Sequence, residues 1–200
     1  MKTTTHRIRT FSLVAAVLGV AALAARAEAK AAPAAPAASA GAFQSDFLAL
    51  LDDVQKKIMS LEDATPQDKF KWRPAPGVRS IAEAYLHIAF GNYGLTKAAT
   101  GKAPPADAGF DGNMPKWDAQ TTDKAQIKAI LQKSFDHVRA AVKDVPDADL
   151  DKKVSFFGHQ MSERAVFMVI LGHDNEHMGQ EVAYARSNGI VPPWSAAEKH

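Results

Sequence analysis

The chain has 200 residues, 46% of them hydrophobic, with a formal net charge of +2 and no cysteine. This length fits one domain with extensions. The missing cysteines exclude disulfides, a thiolate nucleophile and thiolate metal ligands, so any metal must be held by histidine, carboxylate, backbone or water.

Lys2, Arg7 and Arg9 precede an uncharged apolar stretch, Phe11 to Ala25, and Ala25-Arg26-Ala27 fits a small-x-small cleavage site. The pattern predicts a secretory signal peptide over residues 1–27 and an exported protein, periplasmic or extracellular. As a helix the apolar stretch would rise roughly 22 Å, short of the ~30 Å hydrocarbon core, so no stable membrane anchor is expected after cleavage. Cleavage would remove Lys2, Arg7, Arg9 and Arg26 and no acidic residue, taking the formal charge from +2 to −2. The mature chain then has no basic excess, and a nucleic-acid partner is not expected. Residues 28–41 are rich in Ala and Pro, including Pro33 and Pro36, and read as a disordered linker.

From Ala42 the pattern turns helical. Phe43, Phe47, Leu50, Leu51, Val54 and Ile58 recur at helical spacing and predict a first helix to about Glu62. After a Pro-rich connection, Ser80-Ile-Ala-Glu83 is a capping-box pattern that opens a second helix to about Ala99. Residues 101–120 read as a long loop anchored by Phe110, Met114 and Trp117, and loops of that length tend to serve as lids or binding loops. Thr122 or Asp123 caps a third helix carrying Ile127, Leu131, Phe135, Val138 and Val142. Lys153 to His159 reads as a short extended or turn segment. Ser162 then caps a fourth helix that stops near Asn188-Gly189, with Pro192 and Pro193 beyond. No internal repeat and no convincing strand alternation is visible. The expected fold class is all-α, a four-helix bundle over residues 42–195, with 196–200 a disordered tail.

The fourth helix is apolar on all sides from Ala165 to Leu171, which predicts burial. It then carries His173 and His177, four residues apart and so on one helix face, continuing the row Ala165, Val169. Two neutral imidazoles on one face are half of a divalent-metal site. His87, His137, His159 and His200 are the remaining histidines of the mature chain. His87 ranks first among them, because no charged residue lies between Glu83 and Lys97 and a buried neutral ring is the form a metal needs. Asp174 occupies the position where a His-Glu-x-x-His helix carries its general base, but its shorter side chain makes direct reach doubtful. Gln180, three residues past His177, touches the site or bonds a neighbouring helix. Asp174 and Gln180 are the only candidates for a catalytic role. Glu176 points away from the histidine face, and Glu83 is better explained by capping than by orienting His87. Mid-helix Gly179 suggests close packing. Trp72, Trp117 and Trp194 read as core or rim aromatics, and Tyr85 and Tyr93 are candidate pocket linings.

Two blocks carry a resemblance: Trp72-Arg-Pro-Ala-Pro-Gly-Val-Arg-Ser-Ile-Ala-Glu-Ala-Tyr-Leu-His87, and His173-Asp-Asn-Glu-His177-Met-Gly179-Gln180 followed by Tyr184-Ala-Arg186 and Pro192-Pro193. In order and spacing they resemble the DinB-like family of metal-binding four-helix bundles, related to thiol-dependent S-transferases and maleylpyruvate isomerase. The resemblance implies a triad of His87, His173 and His177 around a divalent cation, Zn or Ni by first expectation, and a homodimer. Met178 departs from the family, which often has arginine after the last metal histidine. Three nitrogen ligands would leave positions open for water or substrate. The expectation is a metal-dependent hydrolase or transferase acting on a small molecule; the alternative is a non-enzymatic metal- or ligand-binding protein of the cell envelope. Export disfavours thiol transfer, since thiol cosubstrates belong mainly to the reducing cytosol.

Overall fold

The computed structural model describes residues 41–196. The expected signal peptide, most of the linker and the end of the tail lie outside the described residues. Four long helices form the body: α1 (Ala42–Ala64), α2 (Ile81–Thr100), α4 (Lys124–Asp144) and α5 (Glu163–Ser187). Two short helices, α3 (Met114–Asp118) and α6 (Pro193–Ala196), and a hairpin of β1 (Lys153–Phe156) and β2 (His159–Ser162) complete the described fold. Among the described residues no helix is long and apolar enough to cross a membrane.

α1 buries Phe47, Leu51, Val54, Ile58 and Leu61, a single 3–4-spaced row; Leu50, which the sequence pattern placed on that face, is instead 54% exposed. The start of α1 is tied to the segment that follows α4. Gln44 donates to the Val145 carbonyl at 3.0 Å and to Asp147 at 2.7 Å, and Asp147 also accepts from the Gly41 amide at 2.6 Å. α2 is buried on nearly every side, consistent with its lack of charge, and packs most extensively on α5 and α4. Its capping box forms as the sequence predicts, with Ser80 and Glu83 each accepting from the other's backbone amide.

The two helical hairpins repeat a local device that the sequence conceals. After α1, Pro66 leads into a short 3₁₀ turn, and the Ile81 and Ala82 amides donate to the carbonyls of Trp72 and Phe70. After α4, Pro146 leads into a 3₁₀ turn, and the Glu163 and Arg164 amides donate to those of Lys152 and Leu150. Each connection thereby satisfies first-turn N–H groups that a helix cannot satisfy itself. The leading prolines and the caps Ser80 and Ser162 recur in both halves, but most other side chains differ, so the repeat is carried mainly by backbone hydrogen bonds.

Two segments differ from expectation. Residues 101–120 are not a continuous loop: Asn113 caps α3 by accepting from the Lys116 amide at 3.1 Å. Trp117 pins that helix to the bundle by donating its indole N–H to the Leu86 carbonyl at 2.8 Å. Phe110 and Trp117 pack in an aromatic cluster with Phe90 and Tyr93, whereas Met114 is 38% exposed and lies at a cavity rim rather than in the core. Secondly, residues 153–162 form an antiparallel hairpin with Val154 opposite Met161 and Phe156 opposite His159. The fold is the expected all-α four-helix bundle, with a short β-hairpin inserted between α4 and α5. The two-residue turn, Phe157-Gly158, has positive φ at both positions (46° and 82°), the type that matches strand twist.

α5 is not buried all round. Val166, Phe167, Ile170 and Leu171 face the core, but Met168 is 48% exposed and Val169 faces a cavity.

Candidate metal centre

The site arises where one row of α2 meets one row of α5. His87, Gly91 and Leu95 stand seven, eleven and fifteen residues after the cap Ser80; Val169, His173 and His177 stand at the same steps after the cap Ser162. The rows run in opposite directions. His87 is level with His177, with ring centroids 4.7 Å apart, and Gly91 is level with His173. Leu95 and Val169 close the row as apolar walls of a cavity.

His87, His173 and His177 each bring a ring nitrogen within 4.8 Å of the others. Gly91 makes this approach feasible. A Cβ placed there would lie on the His173 ring, 2.5 Å from Nδ1 and 2.8 Å from Nε2, closer than real contacts come. The glycine that matters is thus in α2. Gly179, which the sequence suggested as a close-packing point, has nothing within 4 Å of where its Cβ would be.

Each ring has its own setting. His177 Nδ1 lies 2.8 Å from Gln180 Oε1, and the Gln180 amide donates to the Tyr184 hydroxyl at 2.7 Å. Since Gln180 spends its N–H on Tyr184, its oxygen accepts from His177 Nδ1–H, leaving the Nε2 lone pair of the neutral ring free. Burial pushes the His177 pKa below its usual value, with His173 and His87 adding to the effect, so the neutral form prevails at pH 7. His87 stacks on Phe90 with 9° between the planes, and its Nδ1 faces Asp118 Oδ1 at 3.8 Å. Both atoms are buried without a hydrogen-bond partner. Asp118 is anchored from its other side by Arg79 Nε at 2.8 Å. Burial works against the Asp118 carboxylate, but His87 and Arg79 outweigh it and hold its pKa below the usual value. A carboxylate behind a ligating imidazole sets the ring's tautomer and orientation. His173 Nδ1 is also buried without a partner.

One tautomer assigned by Gln180 and buried ring nitrogens lacking hydrogen-bond partners fit a divalent cation: buried polar atoms need a partner, and three nitrogens suit Zn, Ni, Cu or Fe.

Asp174 is completely buried, neither of its oxygens has a hydrogen-bond partner, and it is not among the residues lining the cavity. Burial raises its pKa to about 6 against a smaller opposing effect of His173. Glu176 is exposed. His137 lies apart from the triad beside Tyr93, His159 is exposed on β2, and His200 is outside the described residues. Tyr85 belongs to the core, stacked on Phe70, and Trp72 packs edge-on to Tyr184. Sequence reading missed Gly91 and Asp118. Asp118 is 31 residues from His87, and only the docking of α3 brings the two together.

A helical bundle with a three-histidine donor set at a cavity defines a class of metal-site proteins. The family model of the DinB superfamily matches residues 44–180, and the chain belongs to that superfamily. Two solved structures share the fold. A DinB-like protein from Bacillus cereus ATCC 10987 is 21% identical, with a TM-score of 0.64 over 74% of this chain and 95% of that one. A DinB-like protein from Bacillus subtilis is 17% identical, with a TM-score of 0.56 over 72% of this chain and 92% of that one. No curated protein matches the chain.

Proposed function

We propose that this protein is an exported, divalent-metal-dependent hydrolase or transferase that acts on a small molecule at His87, His173 and His177. The convergence of three ring nitrogens within 4.8 Å, two of them on His87 and His173 at one end of a cavity of about 560 Å³, carries the reading. A cation held there, Zn or Ni by preference, supplies Lewis-acid chemistry. The chain's own residues supply the rest. Gln180 holds His177 in one tautomer, Asp118 stands behind His87, and Gly91 admits His173. The apolar walls keep water away from the bound molecule. Export is supported by the basic-then-apolar N-terminal pattern alone.

The experiment is metal analysis of the purified protein, followed by a screen of model esters, lactams and thiol adducts with Zn- and Ni-loaded protein. Near-stoichiometric metal and a turnover that vanishes in His177→Ala are expected; turnover that survives that substitution would defeat the assignment of the site. One observation favours a second reading, a non-enzymatic metal- or ligand-binding protein: among the described residues no carboxylate or lysine lines the cavity to serve as a base. Stoichiometric metal with no turnover on any substrate would support it.

A further inference from the structure

The cavity beside the histidines is built asymmetrically. Its walls are Phe90 from α2, Phe110 from the following loop, Phe156 and Phe157 from the hairpin and Val169 from α5, with His87 and His173 at one end. Among the described residues no Asp, Glu, Lys or Arg lines it. Of the charged groups near the triad, Asp174 is buried behind His173, and Arg73, Arg79, Glu83 and Asp118 face a separate polar depression. Pairing of Arg73 with Glu83 and of Arg79 with Asp118 occupies them.

Phe157 is the residue that packing does not explain. It is 85% exposed, and its φ of 46° lies in the left-handed region, where a bulky side chain is a rare occupant. Asn, Asp or Gly would relax the same turn. The free protein thus carries an aromatic ring in a strained backbone position while burying little of it. Exposed aromatic surface and local strain together mark a contact surface rather than a structural one.

We infer that this chamber takes a small uncharged aromatic molecule, whose ring lies among Phe90, Phe110, Phe156 and Phe157 while its polar head points to the histidines. The inference rests on the proposed metal site only for the head group. About 560 Å³ falls within the range of ordinary small-ligand pockets. An ionised substituent on the ring would lose its hydration with no countercharge in the lining. The hairpin turn supplies Phe157 as the outer face of the ring's binding surface.

The test compares ligands that share a metal-binding head. Calorimetry on the zinc-loaded full chain measures acetohydroxamate, benzohydroxamate and benzohydroxamate bearing a para-carboxylate. Benzohydroxamate should bind about 30-fold tighter than acetohydroxamate, the factor expected for withdrawing a phenyl ring from water. The para-carboxylate should abolish that gain. Phe157→Ala, a change at an exposed turn, should shrink the ratio several-fold without altering acetohydroxamate binding or the melting temperature. Equal affinity for the methyl and phenyl compounds, or indifference to the para-carboxylate, overturns the inference and leaves the metal site standing. A second arm needs no metal: N-phenyl-1-naphthylamine, a neutral fluorophore, is titrated into chelator-treated protein. Ala98 of α2 also lines the cavity, and a phenylalanine there would fill it, so enhancement that Phe157→Ala and Ala98→Phe both weaken supports the chamber even if zinc fails to bind. No enhancement, or enhancement that both variants leave unchanged, refutes it.

Discussion

Gly91→Ala is the sharpest perturbation of the site, because the structure separates its effect on the helix from its effect on the triad. In an ordinary helix the change would stabilise by about 1 kcal/mol. Here the new methyl would occupy the place of the His173 ring, 2.5 Å from Nδ1. The ring is the end of a rotatable side chain, so it can turn away from α2 at modest cost, and the triad loses one ligand. Zinc sites with four ligands bind with about 10–16 kcal/mol, or roughly 3 kcal/mol per ligand. Loss of one ligand therefore predicts a fall in metal affinity of roughly 100- to 1,000-fold. The assay is zinc competition against a chromophoric chelator, with the melting temperature of the metal-free variant followed by circular dichroism. Gly179→Ala is the matched control on the open side of α5, where nothing lies within 4 Å of the added Cβ. It should gain about 1 kcal/mol, or roughly 2–4 °C, with unchanged zinc binding. Wild-type zinc affinity in Gly91→Ala, or an equal loss in both variants, would refute the idea that this glycine admits His173 to the site.

Two further outcomes are expected. Asp118→Asn keeps the size of the side chain but removes the charge that faces His87 Nδ1 at 3.8 Å and pairs with Arg79, so zinc affinity should fall about 10- to 100-fold and the metal-free melting temperature should fall as well, whereas Arg79→Gln should lower the melting temperature with a smaller loss of zinc affinity. Glu62 is fully buried, and burial raises its pKa from 4.5 to about 7. The folded state therefore holds a proton that the unfolded chain has released between those values. The contribution of Glu62 to stability is greatest below pH 4.5, declines toward pH 7 and levels off above, with at most about 3 kcal/mol at stake. Denaturant titrations of the wild type and Glu62→Gln at pH 5 and pH 8 measure it: the substitution should help more at pH 8, and an equal effect at both pH values would remove Glu62 as the source of the slope.

The buried carboxylates deserve a place beside the site. Asp174 and Glu181 both lie on α5, buried and with unpartnered oxygens, and burial holds the Glu181 carboxyl well above its usual range. Protonated, these groups are far cheaper to bury than as anions. Asp174 does not line the cavity but stands behind the site: its Oδ1 faces His173 Nδ1 at 3.9 Å, much as Asp118 faces His87 at 3.8 Å.

What the sequence determined by itself was whatever local periodicity controls. The four long helices follow from 3–4-spaced apolar residues and from caps at Ser80, Asp123 and Ser162, each of which accepts a backbone hydrogen bond as its residue type predicts. The shared face of His173 and His177 follows from helix geometry alone, and the family could be read from two motif blocks. The hairpin escaped because four-residue strands offer too little alternation to distinguish from a turn. Only the tertiary structure decided the rest. Which glycine admits a histidine depends on which helix lies opposite, so Gly91 matters and Gly179 does not. Asp118 reaches His87 because Trp117 docks α3 on α2, a contact between residues 31 apart. The aromatic chamber draws its walls from three helices' worth of separate chain segments and a hairpin. Packing between distant elements, which no local spacing encodes, turns two histidines on one helix into a three-histidine site at the end of a cavity.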